Sequence, residues 1–178
     1  MRKLKTDELN RLSVDDYKQT EKWPMVLILD NIRSLNNIGS IFRTADAFRI
    51  EKIYLTGFTA TPPHKDIHKT ALGATESVCW EYRKNIVNLL TELKNINYYI
   101  MAAEQTDKSQ MLDTFHPPEN RKWALILGNE VKGVSDDALK YCDIALEIPQ
   151  FGTKHSFNVS VSAGIFLWDL FLKSEFKP

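Results

Sequence analysis

Six short apolar runs, separated by stretches of helical spacing, constrain this chain more than any other feature. They are Met25–Asp30, Ile53–Thr56, Ser77–Tyr82, Tyr98–Ala103, Trp123–Leu127 and Ile144–Ile148. Most are near-continuous rather than alternating, as in strands covered on both faces of a parallel sheet. Between them Ile38, Ile41, Phe42, Ala45 and Phe48 recur at three- and four-residue spacing, as do Ile86, Leu89, Leu90 and Leu93. Ser135–Tyr141 opens with Ser-Asp-Asp, a cap and two carboxylates suited to a helix start. The stretch from Val159 to Leu172 is apolar nearly all round and reads as a buried helix. Strands alternating with helices predict an α/β domain, a mainly parallel sheet with flanking helices.

Composition narrows the function classes. The 178 residues hold 23 Lys+Arg against 23 Asp+Glu, with 43% hydrophobic and 26% charged. That is ordinary for one globular domain and excludes a disordered chain or a coiled coil. Zero formal charge speaks against nonspecific coating of nucleic acid, which depends on neutralising many phosphates. No apolar run approaches the length of a membrane span, and the Met-Arg-Lys-Leu-Lys-Thr-Asp start lacks the apolar stretch of a signal peptide. Cys79 and Cys142 have no partner pattern, so neither disulfide stapling nor a Cys-rich zinc site is expected. A soluble cytoplasmic domain is the expectation, with residues 1–24 as an N-terminal helical extension, started by Ser13, on a domain spanning 25–178.

Several catalytic templates fail. Gly128 to Gly133 has the outer spacing of a phosphate loop, but Val134 stands where that loop needs Lys. His64 and His68 are four apart without a zinc-protease Glu or third ligand, so no metal is expected. The Gly57–Ala74 connection is long, holds Pro62, Pro63, His64, Lys65, His68 and Lys69, and reads as a binding loop or one short surface helix. Phosphate contact is the better functional guess for it.

Three polar clusters exceed what a core requires. Asn31 to Phe48 begins where the first strand ends; Asn36 or Asn37 can cap the following helix, leaving backbone N–H groups for an anion. Within it Arg43 either pairs with Asp46 or serves a phosphate or ribose. Gly128-Asn-Glu130 to Ser135 follows an apolar strand and places two glycines around Glu130, as a ligand loop or a plain turn would. Ile148 to Ser162 is dense in Ser, Thr and Asn and leads into the most apolar helix. Ser156 or Asn158 can cap that helix, and the remaining polar groups need partners.

In this order and spacing the clusters resemble the three signature motifs of the SpoU (TrmH) family of RNA ribose 2′-O-methyltransferases, over about Asp30 to Leu170. Asn37 and Arg43 match the first motif, Glu130 the Glu of Gly-Asn-Glu, and Ser156 and Asn158 the third. The resemblance implies an α/β fold with a deep C-terminal trefoil knot, a homodimer, and RNA-binding residues drawn from both subunits. It implies S-adenosylmethionine held by loops around Gly128, Ile148, Ser156 and Phe157, the last replacing the family's usual Leu. All five polar motif positions are intact, so an active enzyme is expected over a non-catalytic RNA-binding or ribosome-assembly factor. The Ser-Phe-Asn motif fits ribose better than base methylation.

The expected reaction is attack of a ribose 2′-hydroxyl on the sulfonium methyl, with Arg43 central. A guanidinium stays protonated above pKa ~12, so phosphate holding and electrostatic activation are favoured over general-base action. Asn37 and Asn158 would position ribose or loops, Ser156 would order the knot loop, and Glu130 would fix the glycine turn. Arg33, His64, Lys65 and Lys69 are the further RNA-contact candidates, in a region from Met25 to Thr75 where basic residues exceed acidic ones. The short extension favours tRNA over rRNA as substrate.

Overall fold

The computed structural model describes residues 1–177. After a 3₁₀ turn at Thr6–Leu9, α1 (Val14–Gln19) starts on Ser13, whose hydroxyl accepts from the Asp16 N–H, and Tyr17 is buried in the core. β1 (Trp23–Asp30) and α2 (Leu35–Ala47) follow, then β2 (Ile50–Thr56), α3 (Lys65–Ala71) and α4 (Ala74–Ser77). The chain continues through β3 (Trp80–Arg83), α5 (Ile86–Asn95), β4 (Tyr98–Ala103), β5 (Gln110–Met111) and β6 (Lys122–Leu127). It ends with α6 (Asp136–Leu139), β7 (Ile144–Glu147) and α7 (Val159–Leu172).

The seven strands form one parallel sheet in the order β3-β2-β1-β6-β4-β7-β5. Met25, Leu27 and Leu29 point into the core beneath α2 and α7, with Ile41, Phe42, Phe166 and Leu167. Val26 and Ile28 point the other way, to Leu89, Leu90 and Leu93 of α5 and Ala138 of α6. Burial on both faces is why these strands read as continuous apolar runs. Truncating a fully buried side chain such as Phe42 to Ala should cost about 3–5 kcal/mol.

The sheet has its switch point at β1 and β6: β2 and β3 lie to one side of this pair, β4, β7 and β5 to the other. Loops leaving the carboxyl ends of β1, β6, β4 and β7 therefore converge, the usual ligand position in such sheets. Gly39 sets how closely α3 approaches α2. A Cβ there would lie 2.1 Å from Thr70 Oγ1 and 2.2 Å from the Ile67 carbonyl, so only glycine permits this contact.

Some expected boundaries shift. Ser77 is not in a strand: its hydroxyl donates to Asp46 and to the Ala74 carbonyl, closing the α4 turn, and the strand begins at Trp80. The long Gly57–Ala74 connection contains the short helix α3. Helix α6 is four residues rather than seven, and the Ser135 side chain makes no capping bond. Strand β5 was not anticipated; its two exposed residues, Gln110 and Met111, are too few to show a strand period.

Candidate functional site

The three polar clusters meet at the carboxyl ends of β1 and β6 and the start of α7. Glu130 reaches across to the first cluster. Its Oε2 accepts from the Arg33 N–H at 2.9 Å, and its Oε1 accepts from the Ser34 N–H at 3.0 Å and the Asn37 Nδ2 at 3.0 Å. Asn37 passes the connection on, its Oδ1 accepting from Asn158 Nδ2 at 3.1 Å. Asn158 in turn caps α7, its Oδ1 accepting from the Ser160 and Val161 N–H groups and the Ser160 hydroxyl. One chain of side-chain hydrogen bonds thus joins Glu130, Asn37 and Asn158 across 121 positions of sequence.

This geometry corrects two expectations about α2. Its cap is Ser34, whose hydroxyl accepts from the Asn37 N–H, not Asn36 or Asn37. The N–H groups just before the helix do meet an anion, but it is the Glu130 carboxylate. Burial pushes the Glu130 carboxyl up, yet bonds from the Arg33 N–H, the Asn37 amide and the Ser34 N–H outweigh it and hold the group below its ordinary range.

Further side chains, not singled out from the sequence, lock the surrounding loops. Asn129 Nδ2 donates to the Asn31 carbonyl at 2.6 Å while its Oδ1 accepts from the Val131 and Lys132 N–H groups. Buried Asp30 accepts from the Ser135 N–H at 2.8 Å. Glu104, directly after β4, accepts from the Val134 N–H at 2.8 Å and the Gln105 N–H at 3.0 Å. It lies against Gly133, which has φ +70° and where a Cβ would meet Glu104 Oε2 at 2.1 Å. Gln105 Nε2 donates to the His155 carbonyl at 3.1 Å, tying the third cluster to the same point. The only sequence signal for Glu104 was its place at a strand's carboxyl end.

Two adjoining clefts open here. One of about 520 Å³ is lined by Gly128, Glu130, Lys132, Ser156, Phe157 and Asn158, among others. The next, about 130 Å³, is lined by Leu146, Ile148, Gln150, Ser156 and Phe157. Glu104, Ala103 and Ser162 border both. The four residues expected to hold a cofactor, Gly128, Ile148, Ser156 and Phe157, are therefore brought together. Phe157 is 41% exposed, an open apolar wall.

Arg43 lies elsewhere. With Lys69, Ser40, Thr44 and Thr70 it lines a third cleft of about 540 Å³ between α2 and α3, which shares no lining residue with the first two. Among the described residues no hydrogen bond or ion pair engages its guanidinium; Asp46, the expected local partner, instead takes the Ser77 hydroxyl. His64 and Lys65 line a fourth cleft on the other flank of α3. The Arg33 backbone is held by Glu130 and the residue is exposed. Among the described residues no cluster of His, Cys, Asp and Glu could hold a metal ion, and no helix is long and apolar enough to cross a membrane.

The family model described as the SpoU rRNA Methylase family matches residues 24–168, most of the chain. The protein belongs to the SpoU family. A curated relative from Neisseria meningitidis, named 23S rRNA (guanosine-2′-O-)-methyltransferase RlmB, is 36% identical over 146 residues, which are 81% of this chain and 56% of that protein. The chain thus spans little more than half the length of that relative. The A. aeolicus TrmH/SpoU tRNA modifying enzyme superposes with a TM-score of 0.79 at 26% identity, covering 90% of this chain and 80% of that one. The SpoU methyltransferase AviRb from Streptomyces viridochromogenes, solved in complex with AdoMet, shares the fold with a TM-score of 0.75 at 20% identity, over 86% of this chain and 62% of that one.

Proposed function

We propose that this SpoU-family protein transfers a methyl group from S-adenosylmethionine to a ribose 2′-hydroxyl of RNA. The observation that carries the reading is the hydrogen-bonded line Glu130–Asn37–Asn158, which joins all three motifs beside the Gly128–Phe157 cleft. The residues of that cleft fit the cofactor. Exposed Phe157 offers apolar surface to an adenine, with Leu127 and Val159 buried behind it, while Glu104 and Glu130 against Lys132 leave a negative balance suited to a sulfonium cation. When bound, S-adenosylmethionine supplies an electrophilic methyl group.

The protein's own residues supply position and charge. Glu130 and Asn37 fix the loop before α2 and the start of α7, so the cleft walls keep one geometry. Arg43 and Lys69, sharing a cleft, would hold the phosphate next to the target ribose and stabilise charge developing on its 2′-oxygen. Ser156 borders both cofactor clefts and would order the loop between them. The free state of the Arg43 guanidinium favours this role over the structural ion pair. Arg43→Ala should abolish methyl transfer while S-adenosylmethionine still binds; transfer at near wild-type rate would overturn the assignment.

We further propose a homodimer. Val161, Trp168 and Leu172 are exposed, and with partly buried Ile165 they form an i, i+4, i+7, i+11 apolar stripe on the side of α7 opposite its buried residues. A second copy on this stripe would cover it, and would offer a way to unite an Arg43 cleft with a cofactor cleft that one protomer keeps apart. The knotted C-terminal path is likewise our reading; the contacts of Gln105 with His155 and Glu104 with Val134 fit a segment held beneath earlier loops. The residues before β1, which takes in Trp23 and Pro24 of the expected 1–24 segment, are read as an extension resting on the domain through Tyr17, and the cytoplasm as the compartment.

For the RNA, tRNA is the first reading, supported by the near full-length superposition on a tRNA modifying enzyme. Ribosomal RNA is the second, favoured by 36% identity to an enzyme named for 23S rRNA. Methylation of tRNA and 23S rRNA transcripts in parallel separates them.

A further inference from the structure

On the flank of α3 away from Arg43 lies a cleft of about 460 Å³ lined by Pro62, Pro63, His64, Lys65, His68 and Trp80, among others. The reaction chemistry proposed above uses none of these residues. Trp80 opens β3, the edge strand of the sheet, and its indole is half-buried: one side packs on the core and the other contributes to the cleft. The rings of Pro62 and exposed Pro63 add apolar wall, with buried Ile67 as the floor behind them. The rim is polar. His64 Nδ1 accepts from the Asp66 N–H at 3.2 Å, which in the neutral ring leaves the proton on Nε2 as a free donor. Exposed His68 and Lys65 add a second imidazole and an ammonium.

We infer that this cleft seats an unpaired nucleobase of the RNA substrate, next to the nucleotide held at Arg43. Flat apolar walls around an aromatic ring, with hydrogen-bonding groups and a cation at the mouth, are what base stacking with backbone attraction requires. The placement matches. Helix α3 is the partition: Lys69, Thr70 and Leu72 face the Arg43 cleft, while Lys65, Ile67 and His68 face the Trp80 cleft. A helix is ~10 Å across, so a strand crossing it reaches both clefts with neighbouring nucleotides. The base would lie against Trp80 with its edge toward His64 Nε2 and its phosphate toward Lys65. This inference rests on the RNA methyl-transfer reading and adds a specificity site to it.

The test is binding of a fluorescent single-stranded RNA 12-mer, together with methyl transfer to total RNA, in wild type, Trp80→Ala, Trp80→Phe, Lys65→Glu and Lys69→Ala. Stacking of one base predicts roughly tenfold weaker binding for Trp80→Ala, with most of it restored in Trp80→Phe. The KM for RNA should rise in step while S-adenosylmethionine affinity stays at its wild-type value; Trp80→Ala also loses the core packing of the indole and melts lower, so binding is read well below its midpoint. Lys65→Glu, fully on the surface, should weaken binding without touching the fold. If Trp80→Ala and Lys65→Glu both bind RNA like wild type while Lys69→Ala weakens it, the base site is wrong and the Arg43 reading stands. If wild type neither binds nor methylates RNA, the parent reading fails with it.

Discussion

Asn37→Asp probes the centre of the site with an isosteric change. Asn37 Nδ2 donates to Glu130 Oε1 at 3.0 Å, so the aspartate would set a carboxylate oxygen where the donor stood. The bond from Asn158 would survive, because Oδ1 still accepts. Two unit charges 3 Å apart repel by about 1.4 kcal/mol in water and about 5.5 kcal/mol at an effective dielectric of ~20. Glu130 is exposed, so the lower half of that range applies, and with the lost hydrogen bond the cost comes to about 3 kcal/mol at pH 8. For a domain of this size that is a fall of about 6–12 °C in Tm.

The pair can escape by sharing one proton, which raises one folded carboxyl above its unfolded value. Between those two values the folded state binds the extra proton, so the variant loses stability as pH rises and recovers it in acid. Thermal melts of wild type and Asn37→Asp at pH 5 and pH 8 check this. The deficit should be large at pH 8 and mostly relieved at pH 5. An equal deficit at both pH values, or none, would refute the Glu130–Asn37 contact.

Other changes test the neighbouring parts. In the wild type the Glu130 carboxyl is held low, so its contribution is complete above about pH 4.3 and is lost as pH falls through its lowered folded value; Glu130→Gln should flatten that acid limb of the stability profile. Glu104→Gln keeps one acceptor for two N–H groups and should weaken S-adenosylmethionine binding roughly tenfold by calorimetry, as expected for loss of one charge-assisted bond of about 1.5 kcal/mol, with kcat at saturating cofactor changed less. Gly39→Ala drives a methyl into the Ile67 carbonyl and should cost about 1–3 kcal/mol in denaturant unfolding. Trp168→Glu, on the exposed α7 stripe, should leave the protomer folded and shift light-scattering mass to that of one chain.

What could be read in advance followed from local pattern. The β1, β4 and β6 runs were legible because burial on both faces leaves uninterrupted apolar residues; α7 was legible as a helix but is not buried all round, since Val161, Trp168 and Leu172 are exposed. The site residues were legible only as motifs; what they touch was not. Ser34, Asn36 and Asn37 are all chemically able to cap α2, and the choice is made by Glu130, nearly 100 residues away, which claims the Asn37 amide. Glu104 has no local oddity at all, since its function is to meet Val134, which lies 30 positions further on. Ser77 looked like part of a strand because its neighbours are β-formers, until its bond to Asp46 turned the backbone. In each case a tertiary hydrogen bond overrode a local preference.

The central claim is methyl transfer to a ribose hydroxyl, and it is tested most directly by incubating the protein with methyl-labelled S-adenosylmethionine and RNA from cells lacking it, then digesting to nucleosides. The account predicts label in a 2′-O-methylated nucleoside and none with Arg43→Ala. Label confined to a base, or cofactor binding with no transfer to any RNA, would contradict it.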